Sequence, residues 1–283
     1  MTKRLWLLAA TVIAAAASVV GTAVSSPATP AFDRGLPTAN LNNPAGANRS
    51  NVAWSNGNDY VSGDDFTLGS SGQKWYVSQI RTWNIGHLDS PFGDEFSSDT
   101  LYFGTSAIAP LATGTVAAGS SLDSNPNIIH TRVTYAGGSN YQAQGGADRQ
   151  IWQNDFQNLG LVLNGGQKYY FAVDGTTTTY LWFNHASNAA LSGSPQQGAD
   201  GKWVAWAKSV LSAPNQCDSG APNGGACNGG WDKSSDINVQ IFASQVGTSK
   251  DGCKDDGWQS LVRSDGSTFK NQGDCIQFVN TEN

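Results

Sequence analysis

Over residues 54–246 apolar and polar residues alternate in short runs, separated by Gly, Asn, Asp and Ser. Ile129, Thr131, Val133 and Tyr135 fall on one side of such a run, and His130, Arg132 and Thr134 on the other. Tyr169, Phe171 and Val173 repeat the pattern, as do Leu159, Leu161 and Leu163, and Ile237, Val239, Ile241 and Ala243. A period of two, punctuated by turn residues, predicts antiparallel strands with one face against a core and one toward water. Asn164-Gly165-Gly166 between two stripes predicts a tight hairpin, because Asn-Gly readily takes the positive φ such a turn needs. Residues 105–126 predict one edge strand flanked by loops. No helical stripe of ten residues stands out beyond the N-terminal leader. The expected architecture is an all-β, antiparallel sandwich with jelly-roll-like connections.

The ends of the chain read differently. Lys3 and Arg4 precede a continuous apolar stretch, Leu5 to Val20, followed by small residues, which is the layout of a signal peptide over residues 1–25. Residues 26–53, rich in Pro, Ala and Asn, read as an extended lead-in. Residues 54–246 make the sandwich domain and residues 247–283 a small C-terminal module. A secreted, extracellular protein is expected, with no membrane association after cleavage, since no later segment is long and apolar enough to span a bilayer.

Export permits disulfides. Four cysteines allow three pairings. Cys217 with Cys227 and Cys253 with Cys275 is the pairing that closes a short loop within each segment. Their spacings contain no close ligand pair of the kind zinc sites use. A module of about 30 residues buries too little surface to fold alone, so a staple at Cys253 and Cys275 is expected, with Trp258, Phe269, Ile276 and Phe278 gathered beside it.

Two stretches carry a resemblance. Asp64-Asp65-Phe66-Thr67-Leu68, then Gly72-Gln73-Lys74-Trp75-Tyr76-Val77, with the later Leu161 to Phe171, resembles β-sandwich modules of secreted bacterial proteins whose function is uncharacterised. Asp251-Gly252-Cys253-Lys254-Asp255-Asp256-Gly257-Trp258, with Phe269-Lys270-Asn271-Gln272-Gly273-Asp274-Cys275, resembles a cysteine-bracketed tail that ends many otherwise unrelated secreted bacterial proteins. The tail family more often has Gly where Asp256 stands. Neither resemblance implies a catalytic residue.

Charge and composition narrow the function. Only 13% of residues are charged, the net charge is −6, and the mature chain would carry 14 basic against 22 acidic residues once Lys3 and Arg4 are removed. No basic stripe exists to neutralise phosphates, so nucleic acid is not an expected partner. Glu95 and Glu282 are the only glutamates, so a two-carboxylate glycosidase mechanism would rest on aspartate. Asp89, Asp94, Glu95 and Asp99 gather with His87 in the loop 86–100, the candidate acid–base site for a glycoside hydrolase or lyase. His130 and Arg132, sharing a strand face, are a second such candidate. Asp59, Asp64 and Asp65 lie close enough in sequence to hold a structural calcium ion.

The chain has 10 tryptophans. Trp83, Trp152, Trp182, Trp203 and Trp206 sit in or beside predicted strands, where exposed indoles would stack on sugar rings while Asn, Asp and Gln bind hydroxyls. Trp203 and Trp206 are expected on opposite strand faces, leaving one exposed. The expected function is non-catalytic recognition of a polysaccharide or cell-envelope component. A carbohydrate-active enzyme using the acidic loop is the alternative, and a structural surface protein without a small ligand a further one.

Overall fold

The computed structural model describes residues 29–37, 52–55, 59–87, 93, 96–116, 119, 125–133, 141–142, 148–177, 182–187, 197–217 and 236–281. The leader, the loop carrying Asp89, Asp94 and Glu95, and Cys227 lie outside them, as does the side chain of Trp182.

Two antiparallel sheets pack face to face, as the alternation predicts. Strands are numbered in chain order. The first sheet is built on β4 (Lys74–His87), the longest strand among the described residues. Along one edge β4 pairs with β16 (Val239–Val246) and then β12 (Trp182–Ser187). Along the other it pairs with β10 (Leu161–Asn164) and then β9 (Asp148–Phe156). Outside these lie β1 (Phe32–Asp33) on β16, β2 (Val52–Ser55) and β15 (Asp236–Ile237) on β12, and β7 (Ile128–Val133) and β8 (Tyr141–Gln142) on β9. The second sheet runs β14 (Val210–Cys217), β13 (Trp203–Ala207), β3 (Tyr60–Thr67), β11 (Lys168–Thr177), β5 (Phe96–Gly104), β6 (Ile108–Thr115). The chain passes repeatedly from one sheet to the other, which gives the jelly-roll-like connections.

The predicted stripes supply the core. Phe171 and Val173 from β11 face Ile241 and Val239 from β16, with Phe66, Leu101 and Trp203 between the sheets. Burying each such large side chain contributes about 1.5–3 kcal/mol. One irregularity tunes β4. Its register with β16 shifts where Gln79 opposes Phe242 and Val77 opposes Ala243, so Ser78 is the extra residue. That puts Val77 and Ile80 on the same, inner, face, followed by Thr82 and Asn84 at intervals of two.

Four expectations change. The residues around Asn164-Gly165-Gly166 do not form a hairpin, because β10 joins the first sheet and β11 the second. The Gly165 and Gly166 amides instead donate to Gln73 O and Leu68 O at 2.8 Å, so two inter-sheet crossovers bind each other. Gly166 has φ 73°, and a Cβ there would lie 2.7 Å from Ser71 N. The described part of the lead-in around β1 joins the first sheet, since Phe32 and Asp33 pair with Ile241 and Gln240. In β7 the inner face carries Ile128 and His130, both buried, while Thr131 is exposed.

The fourth change is a helix in the C-terminal module, Gln272–Thr281. The Asn271 side chain caps it by accepting the Asp274 N–H at 2.9 Å, and Asp274 accepts the Lys270 N–H at 2.9 Å. Cys275, Phe278 and Val279 form its buried face at helical spacing. The expected Cys253–Cys275 disulfide joins this helix to the module's start. Phe269 and Phe278 meet beside it, with Trp258 and Ile276 packed against them. The module docks through β17 (Leu261–Val262), parallel to β16, and through Tyr76, on which the turn at Gly266 rests. Cys217 is also disulfide-bonded, and its expected partner Cys227 lies outside the described residues. No helix among the described residues is long and apolar enough to cross a membrane.

Candidate functional site

β13 pairs with β3 only as far as Gly63, and among the described residues no strand pairs with Asp65 to Thr67 on that side. An open cleft of about 510 Å³ lies beside them, lined by Phe32, Arg34, Asp65, Lys168, Gln197 and Asp200 among others. Part of the lining is β1 with the adjoining turn at 197–200, whose Gln197 N–H donates to Asp33 O at 3.0 Å, and part is Asp65 to Thr67 of β3 with Lys168 of β11.

The cleft is anchored from beneath by a buried cluster. Arg34 is fully buried, with Nη1 2.9 Å from Asp64 Oδ2 and 3.9 Å from Asp236 Oδ1. Its Nε and Nη2 donate to Gln197 O and Gly198 O, both at 3.1 Å, and its guanidinium lies 5.2 Å from the Phe32 ring centre. Asp236 accepts the Asp200 and Gly201 N–H groups at 3.0 Å. Asp64 accepts the Ile237 N–H at 2.7 Å and the Asp65 N–H at 2.8 Å. One cation thus ties β1, β3, β15 and the 197–201 turn together, and both parts of the lining are held before any ligand arrives. At the rim, Lys168 Nζ donates to Asp65 Oδ2 at 2.6 Å. That hydrogen bond raises Lys168 and keeps it protonated.

The cluster holds two carboxyl groups for one guanidinium. Burial pushes Asp64 up to about 8 against the pull of Arg34, and burial raises Asp236 as well. The fold thus favours the protonated form of Asp64 more than the unfolded chain does, where its value is the usual 3.8, while Arg34 and the Ile237 and Asp65 N–H groups pull the other way. The stability this confers is complete below the unfolded value and is lost as pH rises through about 8. Relative to wild type, Asp64→Asn should gain stability between about pH 4 and pH 8 and level off above, in denaturant titrations at each pH. A gain by wild type over the variant across that range would instead mean that Arg34 holds Asp64 ionised.

The three aspartates read as a calcium site do not converge. Asp64 turns inward to Arg34, Asp65 pairs with Lys168 at the cleft rim, and Asp59 is exposed, its carbonyl accepting the Lys208 N–H at 2.8 Å. Adjacent strand residues point to opposite faces, which separates Asp64 from Asp65. No group of three or more His, Cys, Asp or Glu among the described residues could hold a metal ion.

The tryptophans are also placed differently. Trp83, Trp203 and Trp206 are fully buried and Trp152 is 3% exposed, so none of the four presents a face for a sugar ring. Trp203 and Trp206 do lie on opposite faces of β13, but the outer face is covered too. Ile108 and Leu211, from the two edge strands of the sheet, close over Trp206, which meets Tyr170 edge-on at 5.6 Å. Trp206 Nε1 donates to Ser106 O at 3.4 Å.

A second polar group lies between the sheets. Asp99, from the acidic loop, is withdrawn into the core, where its Oδ2 is 2.8 Å from His130 Nε2. Asn154 Nδ2 donates to Asn84 Oδ1 at 2.6 Å. Asn184 Nδ2 donates to Ser62 Oγ at 2.9 Å and ties the two sheets. No family model, no curated protein and no solved structure matches this chain.

The cleft joins an ammonium, carboxylates, an amide and the edge of β3 above a partly aromatic floor. These groups donate and accept hydrogen bonds without a nucleophile–base pair among them, which suits binding of a hydroxyl-rich ligand. Of the cleft residues, Asp65 is among the candidates of the sequence, whereas Arg34, Lys168, Gln197 and Asp200 are not. The available signal was the pair Asp33-Arg34, the only charged residues between positions 26 and 48.

Proposed function

We propose that this is a secreted, non-catalytic β-sandwich protein that recognises a glycan of the cell envelope or a related polysaccharide through the cleft beside β3. The supporting observation is the set of mixed donors and acceptors at Asp65, Lys168, Gln197 and Asp200, held by the buried Arg34–Asp64–Asp236 cluster. Hydroxyl groups both donate and accept, so they match such a wall better than a purely anionic or cationic ligand would. Secretion is supported by the leader over residues 1–25 and by the disulfide. The resemblance of the sandwich and the tail to secreted bacterial modules agrees with an extracellular role.

The test is a glycan array together with pull-down on insoluble polysaccharides, using the mature chain. Wild type should be retained by at least one polysaccharide. Lys168→Ala, which leaves the buried cluster intact, should weaken retention about tenfold, the equivalent of one charge-assisted hydrogen bond. Binding to no glycan, or binding that Lys168→Ala leaves unchanged, would falsify this reading.

A further inference from the structure

The inner face of the first sheet changes character toward one end. Next to the apolar core, Thr82 of β4, Asn154 of β9 and His130 of β7 are direct cross-strand partners in one row. Asn84 and Asn184 are partners in the row beside it. On the facing sheet, Asp99 stands between Gly114 and Gly175, its partners on β6 and β5's other neighbour β11. Neither neighbour has a side chain, so the Asp99 carboxylate is flanked by no side chain from its own row.

Thr82 is 1% exposed, and Asn84, Asn154 and Asp99 are fully buried. Each keeps one polar atom without a partner: Thr82 Oγ1, Asn84 Nδ2, Asn154 Oδ1 and Asp99 Oδ1. Buried polar atoms of folded proteins are nearly always hydrogen-bonded, to protein or to ordered solvent. Four such atoms on residues joined by cross-strand pairing, by the Asn154–Asn84 bond and by the Asp99–His130 contact call for a partner they share.

Their chemistry selects the occupant. The Asn84–Asn154 pair offers one spare donor and one spare acceptor, and exchanging O and N in both carboxamides leaves that count unchanged. Thr82 supplies a hydroxyl that donates or accepts, and Asp99 Oδ1 an acceptor. A bare cation would suit the oxygens and set its charge against a carboxamide N–H. An anion would face the Asp99 carboxylate. Water, which donates two hydrogen bonds and accepts two, fits all four: it donates to Asn154 Oδ1 and Asp99 Oδ1 and accepts from Asn84 Nδ2 and Thr82 Oγ1.

We propose that this patch is an internal hydroxyl-binding site, filled by ordered water that bridges Thr82, Asn84 and Asn154 on one sheet to Asp99 on the other. It is separate from the cleft beside β3, and its test is independent of Lys168. Water–protein NOEs on the full mature chain should show long-lived water at the side-chain amides of Asn84 and Asn154. Thr82→Val, which keeps the side-chain shape, should lower Tm by a few degrees, because the bridging water loses a partner. Were the patch dry, the same change would remove an orphaned hydroxyl and raise Tm. Absence of the NOEs, or a Tm that is unchanged or raised in Thr82→Val, overturns the proposal. Added glycerol provides a further arm: replacement of the water NOEs by glycerol NOEs would keep the hydroxyl chemistry and assign its source to polyols.

Discussion

Replacing Arg34 by Met is expected to destabilise the protein by about 3–5 kcal/mol, the usual cost of removing one partner from a buried ionic cluster. Met fills much of the same volume, so the effect isolates the charge and the hydrogen bonds from the packing. Without the guanidinium, Asp64 and Asp236 face a thioether, and the carbonyls of Gln197 and Gly198 lose their donors. The same change should release the turn at 197–200 and so abolish the cleft even where the sandwich persists. Urea denaturation with hydrogen exchange on residues 29–37 and 197–201 measures both effects. A stability loss below 1 kcal/mol, or unchanged protection of those two segments, would show that Arg34 does not hold them.

Loss of the Cys253–Cys275 bridge is the second large effect, and it should be local. The cysteines are 22 residues apart, and chain entropy assigns a loop of that size about 3 kcal/mol. A Cys253→Ser, Cys275→Ser double variant should keep the sandwich and lose protection over residues 247–281. That module keeps two other attachments, the parallel pairing of β17 with β16 and the packing of Gly266 on Tyr76. It also keeps Arg263, which donates to Asp274 at 2.6 Å and lies 4.9 Å from the Phe269 ring centre. Limited proteolysis followed by mass measurement gives the answer: wild type should remain whole while the variant is trimmed toward residue 247. Equal resistance would mean that these non-covalent contacts suffice.

Much of the fold was legible because it rests on local periodicity. Tyr169, Phe171 and Val173, and Ile237, Val239, Ile241 and Ala243, announce their inward faces by spacing alone, and the core is made of them. The helix Gln272–Thr281 carried a readable signal in Asn271 and Asp274 and in the spacing of Cys275, Phe278 and Val279, but ten residues with polar neighbours make a faint stripe. The turn at Asn164-Gly165-Gly166 is a different case. Its conformation follows from its residues, whereas the partner of each flanking strand depends on segments far along the chain.

The candidate site was less legible, for the same reason. Arg34 meets Asp64 and Asp236, which lie 30 and 202 positions away, and nothing in the neighbourhood of any of the three announces the others. Asp99 and His130 belong to two separate candidate acid–base groups in the sequence, and only strands from opposite sheets bring them 2.8 Å apart. Trp206 is covered because residues of the second sheet's two edge strands, Ile108 and Leu211, close over its outer face, whereas Trp152 and Trp203 face the core between the sheets.

An all-β sandwich, its inward stripes and a stapled C-terminal module are written locally, since strand period, turn chemistry and cysteine spacing act over short stretches of chain. Which polar groups come together, the Arg34 cluster under the cleft and the Asp99 patch between the sheets, emerges with the packing of the fold. Burial and pairing of charges depend on which distant strands are brought together, and alternation along a strand carries no record of its partner across the core.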